Sequence, residues 1–573
     1  MFLEIPYLAQ AMKKVLLITV ICFYSLMLLS QSAYIPLGHD SYRAMERLEI
    51  KSGVFSPHYN STLKPYSRVK AVDFMEMIND NFYEDILITG VDRQNLYYVS
   101  KDNREWSPSF GDILSKRPIF RKFYKYPAEF YSVDEHNFKL KINPLIHFQL
   151  GMEDEATIDD ELFINKRGIE ARGVIGNKIG FYTAFTENQA RYPEFIRQQN
   201  AFANTVAGEA NFKVFNVTGV DYISPVAYIT VPVIKEIDLQ FGYDKNFIGN
   251  GYRSLVLSDN GAPYTFLKLN TKVWRLNYQN IFAEMVAPHQ RIGDRTLPKK
   301  YGAFHHLSLD VTDRINIGFF EAVMFDRSNG FELNYLNPVI FYRGIESVIG
   351  SGDNVLIGMD FKANIKKRVM LYGQAVVDDY QFFELVNGTG LWQNKLGGQL
   401  GFKYVDALGI SNLNLQGEIN VVRPYTYGHR DTALIYAHYN QALAHPAGAN
   451  FQELVGRASY QPIYKLRFNG KITYLTQGVD TDSVKYGSNI YELYFANGAW
   501  QYKSLLDNTV AQGVRVNTFQ ADVGASYMLK HNLFIDLNYT LRKSESADVN
   551  FQKTTSYVSA GIRLNMWNRY YDY

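Results

Sequence analysis

The sequence predicts an all-β protein, a transmembrane antiparallel β-barrel of about 18 strands that follows a small helical N-terminal domain. Three observations predict this fold. Apolar and polar residues alternate in many segments after residue 136, the connections between these segments alternate between short and long, and aromatic residues make up 15% of the chain. Successive side chains of a strand point to opposite faces, so each alternating segment has one apolar and one polar face.

The first residues are typical of a secreted protein. Met12, Lys13 and Lys14 precede an uncharged apolar run from Val15 to Leu29, and small residues follow. A short basic region, about 15 apolar residues and a small-residue site form a secretory signal peptide, too short for a comfortable helical span. We therefore expect residues 1–33 to be a signal, with Met12 as an alternative start.

Cysteine content and net charge narrow the classes of function. The one cysteine, Cys22, lies in the predicted signal, which leaves a mature chain without cysteine. Disulfides, thiolate catalysis and cysteine-ligated metals are thereby excluded. Lys and Arg number 59 against 57 Asp and Glu, a formal net charge of +2. No global field draws such a chain to nucleic acid.

Residues 34–135 predict a small, mostly helical domain. After Asp40, which can cap a helix, apolar residues recur at helical spacing before Gly53. The two apolar series are Tyr42, Met45 and Leu48, and then Val69, Val72, Met75 and Ile78. An irregular N-terminal extension is the alternative.

Residues 136–573 predict the barrel. The alternation places strands at residues 138–150, 160–173, 178–190, 223–232, 237–247, 262–270, 272–286, 303–312, 314–326, 353–365, 367–379, 395–406, 411–422, 450–461, 463–476, 516–528, 531–542 and 553–566. Periodicity alone also fits a secreted all-β protein of several domains, in which the apolar faces meet in cores instead of facing lipid.

The connections favour the membrane barrel. Tight turns such as residues 176–178 alternate with long loops such as 191–222, 327–352, 423–449 and 477–515. Bacterial outer-membrane barrels have short turns in the periplasm and long loops outside. We therefore expect the cell outer membrane as the location, a periplasmic helical domain, and membrane lipid as a partner. The terminal aromatic Tyr573 resembles an assembly signal, which predicts the outer-membrane assembly machinery as a further partner.

No apolar segment of spanning length follows Leu29, which excludes a helical membrane protein. No GxSxG, phosphate-binding glycine loop or HExxH is present. His305 and His306 are neighbours on a predicted strand, so they point to opposite faces and cannot chelate one ion. We expect no enzyme, cofactor or metal, although a hydrolase assembled from distant residues stays open.

The most distinctive segment runs from Arg423 to Asn450, between the thirteenth and fourteenth predicted strands. Its histidines, His429, His438 and His445, are nine and seven residues apart, which matches no tight zinc pattern. Sugar rings stack on aromatic faces and hydrogen-bond to planar charged groups. An extracellular polysaccharide-binding surface is therefore predicted at Arg423, Tyr425, Tyr427, His429, Tyr436 and His438.

Several segments between residues 240 and 460 resemble the capsule assembly protein Wzi family. They are Phe247–Gly251, Ser254–Pro263, Asn337–Pro338, Gly352–Asn354, Asp378–Asp379, Arg423–Tyr427 with His429, and His445–Gly448. The chain departs from the family pattern at Phe247 and Asn250, where the family usually carries Trp and Pro. The resemblance implies an 18-stranded barrel with a helical periplasmic domain and a largely blocked lumen.

The resemblance also implies a function. A Wzi-like barrel would bind and retain capsular or other exopolysaccharide at the cell surface without catalysis. Residues 120–142, with Tyr124–Pro127, are similar to the gliding motility protein RemB, which implies a role in gliding motility or adhesion as the alternative. A diffusion porin is the second alternative, because a barrel of this size can also enclose water.

Overall fold

The computed structural model describes residues 32–81, 87–107, 114–154, 161–289, 296–327, 330–339, 341–350, 352–481, 483–492, 495–496 and 499–571. The predicted signal peptide lies outside these residues except for Ser32 and Ala33. No helix in these ranges has the length and apolarity needed to cross a membrane.

Eighteen antiparallel strands close into one barrel. In chain order they are β1 (Phe138–Glu153), β2 (Leu162–Ile175), β3 (Ile179–Arg191), β4 (Gly219–Ile234), β5 (Ile237–Asp244), β6 (Tyr264–Val273), β7 (Leu276–Val286), β8 (Lys299–Thr312), β9 (Ile315–Phe325), β10 (Asn354–Ile365), β11 (Val369–Asp379), β12 (Lys395–Val405), β13 (Leu413–Val422), β14 (Phe451–Ile463), β15 (Leu466–Val479), β16 (Val514–Lys530), β17 (Leu533–Ser546) and β18 (Lys553–Leu564). β18 pairs with β1, with Leu564 opposite Ile146. Every predicted strand is confirmed, with bounds that differ by a few residues.

The strands turn their apolar faces outward. On β10, Ile357, Met359 and Phe361 are 41%, 48% and 39% exposed, whereas the alternate residues Asp360 and Lys362 are buried. The same pattern recurs around the barrel and produces a continuous apolar exterior over a polar interior. Lipid-facing barrels have this arrangement, and soluble sandwiches have the reverse. The secreted multi-domain alternative is therefore wrong.

Among the described residues, three helices precede the barrel, α1 (Ser41–Ser52), α2 (Arg68–Asn81) and α3 (Gly90–Asp102), and a fourth, α4 (Glu194–Ala203), lies in the long loop after β3. Thr89 and Asp92 form a capping box at the start of α3, in which each side chain accepts a hydrogen bond from the backbone N–H of the other. Gly53 ends α1 with a positive φ of 75°. The helices predicted before the barrel are therefore present where the helical spacing indicates them.

The first three helices close the short-turn end of the lumen. Arg47 of α1 contacts Asp92 of α3 at 2.7 Å and Asp406, in the turn after β12, at 2.6 Å. Burial opposes ionisation of Asp92, but the hydrogen bonds and charges of Arg47 and Lys51 outweigh it and lower the pKa of Asp92 to about 2. These helices share a hydrophobic cluster with Met528 of β16 and Phe534 of β17. Their status as a separate periplasmic domain stays a prediction.

Residues 245–263, here called the inward loop, descend into the lumen from the long-loop end. Phe247 and Ile248 pair with Lys64 and Leu63 of the N-terminal segment, so chain from the two ends of the barrel meets inside it. Gly249 has a φ of +152°, and an added Cβ would lie 3.0 Å from Gln374. Glycine suits this point because side chains rarely adopt that backbone conformation.

The C-terminal tail also enters the lumen. After β18 ends at Leu564, the Asn568 N–H donates to the Gly38 carbonyl at 3.3 Å. Farther along, the ring of Tyr571 lies 5.3 Å from that of Tyr192, which directly follows β3 at the long-loop end. The described part of the tail is therefore not a final strand. Tyr573 lies outside the described residues, and its role as an assembly signal stays a prediction.

One long loop folds back over the outside of the barrel. We call the described part of residues 326–353, which contains α5 (Tyr342–Ile349), the outer flap. On the outward face of β9, Phe319 is 55% exposed, but Val323 and Phe325 are fully buried beneath the flap. The Glu321 carboxylate accepts hydrogen bonds of 2.9 Å from the first two N–H groups of α5. This carboxylate therefore caps α5 and fixes the flap to the wall.

Candidate functional site

The predicted contact segment, residues 423–450, forms a cap over the inward loop and is called the cap loop below. Four of the six predicted contact residues have buried side chains: Tyr425 at 0%, Tyr427 at 1%, Tyr436 at 1% and His438 at 2% exposure. The expectation of an exposed surface loop is wrong for these four, because the loop folds down onto the polar lumen. Their role in binding polysaccharide is not tested by their position and stays a prediction.

Tyr427 and Tyr436 join the cap loop to the inward loop. Their hydroxyls donate to the carbonyl oxygens of Leu255 at 2.7 Å and Val256 at 2.6 Å. Their rings stack with centroids 5.9 Å apart. Burial raises the pKa of both phenols well above the usual value, so both remain neutral donors. The phenol groups are thus used in holding two loops together.

Arg423 and Tyr425 tie the cap loop to its two neighbouring loops. The Arg423 guanidinium donates to the Asn394 carbonyl at 2.7 Å, in the loop that follows β11 and contains α6 (Phe382–Val386). The Tyr425 hydroxyl donates to the Lys485 carbonyl at 2.8 Å, in the loop after β15. Burial raises the pKa of Tyr425 to about 12. Arg423 keeps part of its surface exposed.

The histidines of the cap loop have separate protein partners. His438 accepts from the Val286 N–H at 2.9 Å through Nδ1 and donates to the Pro263 carbonyl at 3.0 Å through Nε2. His445 bonds Glu453 at 2.8 Å. Burial lowers the pKa of His438 to about 3 and that of His445 below its usual value. In the described part of the chain, no three His, Cys, Asp or Glu side chains form a metal-binding group.

His305 and His306 behave as the strand geometry predicts. His306 points inward and bonds Asp360 at 2.6 Å. His305 points outward under the flap, between Tyr278 at 3.2 Å and the hydroxyl of Tyr342. The two rings therefore lie on opposite sides of the barrel wall.

A cavity of about 550 Å³ lies at the long-loop end, between the outer flap and the cap loop. We call it the rim cavity; it is lined by Asp326, Arg327, Glu332, Ile349, Gly352, Asp353, His429, Arg430, Asp431 and Leu434. His429 is the predicted contact residue that lines it. Burial and the nearby charge of Lys395 lower the pKa of His429 to about 4, so the ring is neutral at pH 7.

The charged groups of the rim cavity differ in whether they can bind a ligand. Arg327 holds the Asp353 carboxylate through two hydrogen bonds of 2.8 and 2.6 Å, and the Tyr335 hydroxyl donates to it at 2.7 Å. Arg430 is exposed, and its guanidinium lies where a Cβ on Gly352 would meet it at 2.5 Å. Asp353 is thus committed to fixing the flap, whereas Arg430 presents donors to the cavity.

The sequence does not predict that Arg327, Glu332 and Arg430 line one cavity together with His429. These residues come from two loops that are separated by four strands, and no periodic pattern connects them. Gly352 and Asp353 do carry a signal, because they belong to the segments that resemble the Wzi family. That signal does not by itself assign them to the contact surface.

The segments of the resemblance meet around the cap loop. Asp378 accepts from the Tyr427 N–H at 2.7 Å, and the Asn354 side chain donates to the Leu434 carbonyl at 2.9 Å. The inward loop lies below, bonded to the two tyrosines described above. Segments that are more than a hundred residues apart thus form one closure at the long-loop end.

No protein-family model and no curated protein sequence matches this chain. Solved structures match it in fold. Wzi, described as an outer membrane protein involved in group 1 capsule assembly in Escherichia coli and as a carbohydrate-binding β-barrel, matches with a TM-score of 0.55. The match covers 93% of this chain and 100% of that chain at 12% sequence identity. The chain has the fold of Wzi.

Two further solved structures are more distant. OprD of Pseudomonas aeruginosa matches with a TM-score of 0.40, at 10% identity, over 74% of this chain and 94% of that one. OccAB2 of Acinetobacter baumannii matches with a TM-score of 0.41, at 11% identity, over 74% and 97%. The match to Wzi itself confirms the resemblance to that fold, and the similarity to RemB stays a prediction. With its closed Wzi-like barrel and apolar exterior, this chain is an outer-membrane protein.

Proposed function

We propose that this outer-membrane barrel binds and retains capsular or other exopolysaccharide at the cell surface, without catalysis. The observation that carries the proposal is the occupied lumen: α1–α3 close one end, and the inward loop, the cap loop and the C-terminal tail fill the interior from the other end and along its length. A barrel closed in this way offers surfaces for binding more readily than a path for diffusion.

The contacts inside the lumen argue against the diffusion porin. Leu63 pairs with Ile248 across the interior, and the backbone N–H and hydroxyl of Ser258 in the inward loop both donate to the Leu443 carbonyl of the cap loop. These are mainly backbone contacts rather than a constriction lined by side chains. A solute passing through would have to break them, which costs several hydrogen bonds at once.

The rim cavity is the surface we propose for the polysaccharide. His429 supplies a neutral ring, Arg430 supplies a planar donor group, and Arg423 lies nearby in the chain with part of its surface exposed. Sugar hydroxyls and carboxylates accept hydrogen bonds from such donors. The buried Tyr425, Tyr427, Tyr436 and His438 support this surface by fixing the cap loop. Wzi is described as carbohydrate-binding, which supports the same chemistry here.

A deletion strain tests the proposal. Without the protein, we expect the cells to release polysaccharide into the medium while the total amount made is unchanged. Complementation with Arg430→Ala should restore less cell-bound polysaccharide than the wild type. Arg275→Ala, which removes a 41%-exposed arginine at the opposite end of the barrel, is the matched control.

The same strains separate the alternatives. Unchanged cell-bound polysaccharide in the deletion strain would contradict the proposal. Loss of colony spreading with intact polysaccharide would favour the role in gliding motility. Steady ion conductance of the purified wild-type protein in planar bilayers would favour the porin.

A further inference from the structure

The lumen keeps a cavity of about 590 Å³ between the elements that fill it. Asn260 and Pro446 line it toward the long-loop end, and Arg43 and Glu46 of α1 line it toward the short-turn end. Ligand sites of proteins have volumes of about 300–1,000 Å³. The cavity is therefore large enough to hold a sugar unit.

One side of this cavity has more positive than negative groups. The cations of α1, the N-terminal segment and β12–β15 that line it are Arg43, Arg47, Lys64, Lys403, Arg457, Arg467 and Lys471. The carboxylates that pair with them are Asp40, Glu46, Asp92, Asp406 and Asp522. Asp40 is shared by Arg43 and Arg467, and Glu46 by two of the lysines, so the seven cations outnumber the five carboxylates. Such an excess in a partly enclosed space attracts an anion.

Arg457 differs from the other cations of this set in the kind of partner it has. Its guanidinium donates to Gln416 at 3.1 Å and lies 4.7 Å from the ring centre of Tyr252 and 5.8 Å from that of Tyr570. Among the described residues, no carboxylate lies within ion-pair distance of it. Part of its surface is accessible from the cavity. Arg457 thus has donors left for a ligand.

Two aromatic rings lie beside this guanidinium. Tyr252 of the inward loop and Tyr570 of the tail meet edge to face, with centroids 6.0 Å apart. Tyr570 is 50% exposed although it lies inside the barrel, so one of its faces is open to the cavity. Lys471 contacts the Tyr252 hydroxyl at 3.3 Å. An open ring next to a planar cation is the combination that binds a charged sugar.

We propose that this cavity binds a sugar unit carrying a carboxylate, with Arg457 pairing with the carboxylate and Tyr570 stacking on the ring. The inference rests on the proposed function and adds a second site, inside the barrel, of narrower specificity. A guanidinium matches the planar carboxylate through two parallel hydrogen bonds. A neutral sugar would leave the excess positive charge without a counter-charge. Inorganic phosphate shares the negative charge but offers no ring to Tyr570.

Calorimetric titration of the purified full-length protein in detergent micelles tests the site. The probes are sodium glucuronate, glucose and sodium phosphate. We expect glucuronate to bind more tightly than phosphate and glucose, and added NaCl to weaken its binding. Equal binding of glucuronate and glucose, or tighter binding of phosphate, would overturn the assignment. Absence of glucuronate binding would show that the cavity holds solvent only.

Variants locate the binding. Arg457→Gln should weaken glucuronate binding about tenfold to a hundredfold, the usual effect of losing hydrogen bonds to a charged group. Tyr570→Ala, in the tail, should weaken it about fivefold to tenfold, as expected when one stacked ring is lost. Arg275→Gln, in the turn between β6 and β7 and outside both cavities, is the matched control and should leave it unchanged. Heat-dependent mobility in gels verifies that each barrel is folded.

Failure of this inference is separable from failure of the proposed function. If Arg457→Gln and Tyr570→Ala bind glucuronate like the wild type, the internal site is refuted, whatever the deletion strain shows. If the deletion strain keeps its polysaccharide on the cell, retention is refuted, whatever the purified protein binds.

Discussion

Glu453 of β14 is the point at which the barrel wall holds both loops that fill the lumen. Its carboxylate contacts Arg253 of the inward loop at 2.8 Å and His445 of the cap loop at 2.8 Å, and accepts from Asn420 of β13 at 3.0 Å. The Glu453 side chain is 2% exposed. Replacing it by glutamine removes the charge and keeps the shape, and we expect Glu453→Gln to loosen both loops at once.

The size of the effect follows from the buried pair. Removing one partner of a buried ion pair costs about 3–5 kcal/mol, because the other charge stays buried without compensation. Arg253 is that charge here, although Glu418 still accepts from its backbone N–H at 3.1 Å. Glutamine can accept one bond, so the lower limit applies. About 3 kcal/mol corresponds to a rise of roughly a hundredfold or more in the population with the loops displaced.

Limited trypsin digestion in detergent micelles measures that population, because displaced loops expose the buried Arg253 of the inward loop. Trypsin should cut the wild type after Arg253 very slowly and should cut Glu453→Gln there much faster. Glu545→Gln is the matched control, since it removes a carboxylate that is 62% exposed and pairs with Lys543 at the surface. If Glu453→Gln forms a folded barrel that trypsin cuts after Arg253 at the wild-type rate, the loops do not depend on this contact and the reasoning is refuted.

Three further predictions concern the closure and the flap. Tyr436→Phe should destabilise the cap loop by about 1–3 kcal/mol, because the buried Val256 carbonyl loses its donor; protease sensitivity of the loop measures this. The pKa of His438 is about 3 in the folded protein against 6.5 for a free histidine. Its neutral form therefore stabilises the cap loop above pH 6.5, and this stability is lost as the pH falls. At pH 5 the loss is about 2 kcal/mol, so protease cleavage of the cap loop should increase from pH 7 to pH 5 in the wild type and not in His438→Gln. Glu321→Ala removes the cap of α5 and should release the flap, costing about 1–2 kcal/mol, whereas Glu346→Ala should not; trypsin cleavage after the exposed Arg343 reports the difference.

The barrel strands can be predicted from the sequence because alternation is a local property. Each strand must place apolar residues toward lipid and polar residues toward the lumen, so the pattern within β10 is decided by the membrane and not by a distant partner. The helices α1 and α2 are predictable for a similar reason, since spacing and the glycine at the end of α1 are local signals. The bounds differ by a few residues where turns such as 406–412 add irregular backbone.

The loops could not be predicted because their positions depend on partners far away in the chain. The sequence favours Tyr427 and Tyr436 as sugar-binding residues, whereas the structure places their hydroxyls on carbonyls of the inward loop. No sequence pattern near residue 430 indicates that the inward loop, residues 245–263, lies directly beneath the cap loop. The position of the outer flap cannot be predicted for the same reason. The flap covers Val323 and Phe325 only because the Glu321 carboxylate binds the start of α5, which is distant from it in the sequence.

The burial of four predicted contact residues has one physical cause. A barrel with an apolar exterior has a polar interior, so any loop that fills the lumen must carry tyrosine, arginine and histidine to satisfy the groups that it buries. The same side chains bind sugars at an exposed surface. Composition therefore cannot separate a polysaccharide-binding loop from a loop that closes a lumen; accessibility can. The side chains of His429, Arg430 and Tyr570 are accessible, whereas those of Tyr425, Tyr427, Tyr436 and His438 are buried. The proposed contacts therefore lie at the rim cavity and in the lumen cavity.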